Sequence, residues 1–134
     1  MNPTVLWTNP NATVAWSSSN VTLSEDMNNY TYIEVEVYRT RTNHDEVYKS
    51  GKYLVSDVVA FSGNGAGRMS VTFCGASNNV LTRNISYVSD TSLTISTCYQ
   101  FGSGTSDNNA NIPYRVVGYK YRKWLKCMGL CLRK

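Results

Sequence analysis

Residues 32 to 38, Tyr-Ile-Glu-Val-Glu-Val-Tyr, alternate apolar and polar side chains with period two, and this run constrains the fold more than any other. A helix of that sequence would scatter its apolar groups around the axis. An extended strand puts Ile33, Val35 and Val37 on one face and Glu34, Glu36 and Tyr38 on the other. The expectation is a half-buried antiparallel strand with Glu34 and Glu36 on its solvated side. Strand-sized runs recur about every ten residues along the chain, separated by Asn, Ser, Asp and Gly turns. Thr4 to Thr8 opens the series, stopped by Asn9-Pro10-Asn11. Thr13 to Trp16 offers a second short piece, Val21 to Leu23 another, and Glu25 to Asn29 a turn.

The later segments follow the same rhythm. Thr42 to Glu46 reads as a turn and Val47 to Ser56, interrupted at Gly51, as a returning strand or two short ones. Residues 62 to 67, Ser-Gly-Asn-Gly-Ala-Gly, read as a loop before the strand in Arg68 to Ala76. Two β-branched, aromatic-rich runs within residues 80 to 101 flank Ser89-Asp90-Thr91-Ser92, the signature of a hairpin. Gly102 to Asn111 reads as a long polar loop, and Ile112 to Tyr119 as the last strand, with Pro113 tolerated at its start. Such a series predicts an all-β domain, an antiparallel sandwich or jelly-roll, over residues 1 to 120. With 134 residues and only 16% charged side chains, one core is expected.

Charge is distributed unevenly. Residues 1 to 113 carry six Lys and Arg against all nine Asp and Glu, a net −3, whereas residues 114 to 134 carry seven Lys and Arg and no acid. Within that stretch Trp124, Cys127, Met128 and Cys131 follow helical spacing among basic residues. Residues 121 to 134 are therefore expected to form a short basic amphipathic helix, interrupted by Gly129. Its uses would be a membrane surface, nucleic acid or a groove on another protein. Protein docking through Trp124, Leu125, Met128 and Leu132 is the preferred functional reading, against a terminus with no role. The negative body does not extend the basic patch, so no nucleic-acid partner is expected. No stretch approaches the roughly 20 apolar residues of a membrane span. The start lacks a basic, apolar leader, which implies synthesis in the cytosol. Cys74, Cys98, Cys127 and Cys131 are accordingly expected as free thiols, and the sequons at Asn11, Asn20, Asn29 and Asn84 as bare.

Catalytic inventories are thin. His44 lies in a polar turn beside Asp45, where a solvated loop explains it. Glu34 and Glu36 could stand as a carboxylate pair, but an outward strand face accounts for them. Gly63 to Gly67 precede a strand where phosphate loops need a helix, no Gly-x-Ser-x-Gly motif occurs, and Cys127 and Cys131 lack the remaining ligands of a zinc site. No enzyme activity, cofactor or metal is expected. Ten tyrosines and three tryptophans instead favour contacts made by aromatic faces and amide side chains, a physical basis for glycan recognition. The candidate contacts are Tyr99, Asp107, Asn108, Asn109, Asn111 and Tyr114.

The opening Val-Leu-Trp-Thr-Asn-Pro-Asn-Ala-Thr-Val-Ala-Trp, the hairpin Arg83 to Gly102, the Asn-rich loop and the closing Asn-Ile-Pro-Tyr-Arg-Val-Val-Gly-Tyr-Lys occur in an order that resembles a small domain of bacteriophage and prophage tail-fibre and minor structural proteins. The resemblance covers about residues 4 to 120. It implies a non-enzymatic virion protein of tail-fibre or receptor-binding type, assembled in the bacterial cytoplasm beside other virion proteins. A homotrimer would give avidity toward host surface polysaccharide. A head-decoration protein that binds no glycan is the alternative. Two departures are plain: this chain begins just ahead of the matching region, suggesting a stand-alone subunit, and residues 121 to 134 have no counterpart in the pattern.

Overall fold

The computed structural model describes residues 2–60, 69–74, 80–100 and 105–121; the Gly63 to Gly67 loop and the proposed helix of residues 121–134, with Trp124, Leu125, Cys127, Met128, Cys131 and Leu132, lie outside the described residues, Tyr121 excepted. Among the described residues ten strands form two antiparallel sheets packed face to face, so the sandwich expectation holds. Sheet A runs β1 (Thr4–Thr8), β10 (Ala110–Tyr119), β3 (Tyr32–Thr40), β4 (Val47–Lys49), with β5 (Tyr53–Leu54) continuing the β4 edge along β3. Sheet B runs β2 (Ser19–Thr22), β8 (Ser92–Ile95), β7 (Val80–Ser89), β6 (Met69–Cys74), with β9 (Tyr99–Gln100) continuing the β8 line along β7. β4 with β5, and β8 with β9, are therefore each one line of pairing broken in two. Gly51, at a φ of 85° that favours glycine, makes the break between β4 and β5.

Period two positions the core as expected. Ile33, Val35 and Val37 from β3 and Val116 from β10 face Val71, Ile85, Leu93 and Ile95 from sheet B, all at most 1% exposed. Met27, from a single 3-10 turn (Met27–Asn29) capped by Asp26, closes the end near the Ser89–Ser92 hairpin, its N–H bonding to the Asp90 carbonyl at 2.8 Å. Gly118 on β10 lets the Tyr30 ring lie directly against the backbone. A Cβ there would come within 2.6 Å of Tyr30 Cγ.

Several boundaries differ from the sequence reading. Residues Val55–Ala60 form a six-residue helix, α1, where an extended run had been expected to continue to Ser56, because burying Val55 and Val58 on one side suits a helical turn. Thr13 to Trp16 is irregular rather than a strand. Strand β10 begins at Ala110, not Ile112, so Pro113 sits within a central strand. Its missing N–H is accommodated by a bulge between Pro113 and Arg115. The largest correction concerns Glu34 and Glu36, which are 5% and 3% exposed rather than solvated. Tyr119 donates to Glu34 at 2.8 Å and Arg115 Nε to Glu36 at 3.1 Å, and these partners keep the carboxylates on the outer face of sheet A without contact with bulk water.

Candidate functional site

The inner face of β7 carries Leu81, Arg83 and Ile85 in succession, so a guanidinium occupies a position that the alternation reserves for an apolar group. Arg83 is fully buried. All five of its N–H donors are used, and every acceptor is a main-chain carbonyl. Nε reaches Asn111 at 2.7 Å, Nη1 reaches Ser96 at 2.8 Å and Trp16 at 3.0 Å, and Nη2 reaches Ala110 at 2.8 Å and Asn108 at 3.3 Å. Among the described residues it has no ion-pair partner. Burial pulls its pKa down to about 10, opposed by the fields of Cys98 and Asp107, so the group still carries its charge at neutral pH.

These five carbonyls belong to three separate stretches of chain, and the guanidinium thereby gathers them at one end of the sandwich. Further main-chain bonds tie the bundle: Trp16 N to Asn108 O at 2.9 Å, Arg41 N to Asn109 O at 3.1 Å and Asp107 N to Cys98 O at 2.8 Å. Asn111 adopts a φ of 50°, a left-handed conformation that Asn tolerates, and its amide donates to Leu81 O at 3.2 Å while its Oδ1 stays buried without a partner. The Cys98 thiol beneath the loop is buried and free, and desolvation pushes its pKa up to about 11. The free-thiol expectation thus holds at this cysteine, the one whose thiol the structure describes.

The β3–β4 turn joins the same end. His44 stacks on Tyr38 with ring centroids 4.0 Å apart and its Nε2 lies 3.1 Å from Ala12 O. Tyr38 in turn meets Tyr114 at 4.5 Å, and Arg115 lies 5.3 Å from the Tyr114 ring. Asn9 fastens the first loop by donating from its amide to Pro113 O and from its backbone to Tyr114 O, both at 2.8 Å. The end of the molecule therefore presents residues 9–18, 41–46 and 105–109 on a framework of main-chain bonds.

The expected contact residues distribute over this end unequally. Tyr99 is 41% exposed and its strand bridges to Ser106, and Asn109 is exposed. Asp107 and Asn108 are half-buried with side chains engaged, Asp107 Oδ1 accepting from Asn109 N at 3.1 Å and Asn108 Oδ1 from Cys98 N at 3.4 Å. Tyr114 stands on the outer face of sheet A in the Tyr38 and His44 stack. Asn111 departs from the expected set: it is fully buried in β10, its carbonyl accepts from Arg83, and it offers no exposed surface. The sequence reading missed Arg83, Trp16, Tyr38 and His44 as members of this end. An Arg between Leu81 and Ile85, in the inward register, was the available signal for the first.

Two ionisable pairs on the outer face of sheet A are engaged structurally. Burial, followed by the Glu34 hydrogen bond, pushes Tyr119 up to about 12, and the Glu36 hydrogen bond holds Arg115 above its usual value. No protein-family model matches the chain, and no curated protein or solved structure matches it.

Proposed function

We propose that this chain is a non-enzymatic virion structural protein of tail-fibre or receptor-binding type, which holds the loops at one end of its sandwich against a host surface glycan. The observation that carries the reading is the Arg83 hub. A charged side chain fully enclosed by five carbonyls fixes the main chain of residues 16, 96 and 108–111 and leaves Tyr99, Asn109 and the exposed Asn and Thr groups of residues 9–13 pointing outward. A ligand meeting a prefixed surface loses less in ordering entropy. Two carboxylates, Glu34 and Glu36, are held in supporting contacts with Tyr119 and Arg115.

Individual sugar sites of this kind are weak, so the protein acts as a homotrimer, where three sites on one particle part multiply attachment. A glycan array of host surface polysaccharides, read with the wild-type chain and with Tyr99→Ala plus Asn109→Ala, tests the reading. Binding that the double substitution abolishes supports it. A chain that binds no sugar and occurs in hundreds of copies on the particle head is a decoration protein instead.

A further inference from the structure

We infer that residues 122–134 fold back over the outer face of sheet A as a third layer, so that the partner their apolar side chains need is the body of their own chain. This docking is independent of the glycan and trimer parts of the proposed function. Burial on β10 exceeds what two layers explain. In a sandwich the outward positions of each sheet meet water, yet the inward Val116 and the outward Val117 are both 0% exposed, and the outward Tyr119 is 7% exposed. Val117 and Tyr119 belong to neither core cluster. Strands buried on both faces are those with a layer on each side. Among the described residues no strand or helix supplies the second layer, because α1 and the Met27–Asn29 turn send Val55, Val58 and Met27 into the core between the sheets.

Two exposed apolar side chains flank this row. Val5 on β1, paired with Val117, is 42% exposed, and Leu54 on β5, paired with Tyr32, is 40% exposed. With β1, β10, β3 and β5 side by side at about 4.8 Å per strand, the strip between them is roughly 14 Å wide, enough to seat a helix about 10 Å across. In its floor Glu34 is 5% exposed. Its carboxylate accepts from the Tyr119 hydroxyl, and among the described residues no Lys or Arg pairs with it, whereas Glu36 has Arg115. A buried carboxylate without a cation is costly. Residues 122–134 hold five Lys and Arg and no acid.

The path of the chain selects the occupant. Lys120 turns toward the Tyr30 ring, 5.2 Å from its centroid, and Tyr121 turns the other way, its ring meeting Tyr32 edge to face at 5.1 Å and its N–H reaching Thr31 Oγ1 at 3.4 Å. Tyr32 pairs with both Tyr119 and Leu54, so the last described residue already stands on the outer face beside the strip. The thirteen residues that continue from it would span roughly 20 Å as a helix, against about 33 Å for the ten residues of β10. Laid back along β10, they cover Tyr119, Val117 and Glu34 and stop short of Tyr38, His44 and Tyr114, which leaves the Arg83 end open. Trp124, Leu125, Met128 and Leu132, the apolar face expected of the segment, then meet Val5, Val117 and Leu54, and a basic neighbour meets Glu34. Tethered at Tyr121, the segment finds this strip at an effective concentration in the millimolar range, which other chains at micromolar concentration do not match.

A nitroxide on Cys131 of the full chain, with Cys74→Ser and Cys127→Ser and with Cys98 shielded by burial, tests this through the broadening of methyl signals. Val5, Leu54 and Val117 should broaden, while Val88 on sheet B keeps its width. A mixture of nitroxide-bearing chain with isotope-labelled chain that carries no nitroxide should show no broadening, since the contact lies within one chain. Leu125→Asp with Leu132→Asp, both outside the body of the sandwich, should lower the docked population on the order of 100-fold and restore the Val5 and Leu54 signals. Broadening that is absent from the full chain, equal at Val88, or unchanged by the two aspartates overturns the inference. Broadening that passes between chains in the mixture also overturns it and gives the strip to the same segment of another copy.

Discussion

Replacing Arg83 by Met removes five donors from five carbonyls, and the structure allows the cost to be reckoned in two ways. Hydrogen bonds from a charged group contribute roughly 1.5–3 kcal/mol each, so the five together amount to on the order of 10 kcal/mol, of which the returned desolvation penalty of the cation, several kcal/mol, is recovered on substitution. Alternatively, only the bonds to Asn111 O and Ala110 O are fully buried; the Trp16, Ser96 and Asn108 carbonyls lie in partly buried bonds where water can replace the donor. Two orphaned buried acceptors cost about 1–3 kcal/mol apiece. Both routes lead to about 4 kcal/mol, or a fall in Tm of roughly 10 °C or more for a domain of this size. Thermal and urea unfolding near neutral pH, with amide exchange read residue by residue, provide the assay. Protection should fall first at the Trp16, Asp107 and Arg41 amides, which bond within the gathered loops. Arg83→Lys should recover little of the loss, since an ammonium has three donors where the site presents five acceptors. A Tm within about 2 °C of wild type would refute the argument. So would a loss of stability that left those three amides protected.

Three other outcomes follow from the packing and the titrating groups. Gly118→Ala places a Cβ 2.6 Å from Tyr30 Cγ and 3.1 Å from Leu6 Cδ1, and should cost about 1–3 kcal/mol of stability, read as a lower urea midpoint, because the ring is held by its hydrogen bond to Glu25. Cys98, with a pKa pushed up to about 11, should resist iodoacetamide in the folded protein at pH 8 and react on unfolding, as site-resolved mass spectrometry will show. An acid whose folded pKa is raised favours the folded state fully below its ordinary value and loses that contribution as pH climbs through the folded one. Stability should therefore fall between about pH 9 and 10 by up to about 1.4 kcal/mol, and Cys98→Ala should flatten that slope. Tyr119 should ionise near pH 12 in absorbance at alkaline pH, and Glu34→Gln should bring it down by removing the carboxylate acceptor.

The fold was legible where one face of a strand is apolar. Ile33, Val35 and Val37, the hairpin at Ser89–Ser92 and the closing Val116 to Tyr119 all declare themselves by local pattern, and the structure places them in β3, β7–β8 and β10. What local pattern could not convey was the partner across the sheet. Glu34 and Glu36 look like a wet face until Tyr119 and Arg115, some eighty residues later, are seen to cover them. The helix Val55–Ala60 spans less than two turns, too short to impose a helical period on a stretch rich in β-branched residues. The candidate site was half legible. Composition drew attention to the Asn-rich loop and Tyr99, while the burial of Asn111 went unforeseen because a polar side chain in a polar run gives no sign that its backbone begins a central strand.

Every oxygen that Arg83 grips is one that all twenty amino acids possess. The grip of Arg83 on residues 16, 96 and 108–111 therefore runs through the main chain, beside the side-chain bonds of Trp16, Ser96 and Asn108 and the left-handed turn at Asn111. Substitutions at exposed neighbours such as Ser106 can alter the surface of this end while its contour stays the same. One interior guanidinium thus separates the form of this end from the chemistry its exposed side chains display, the condition under which a surface can change without refolding.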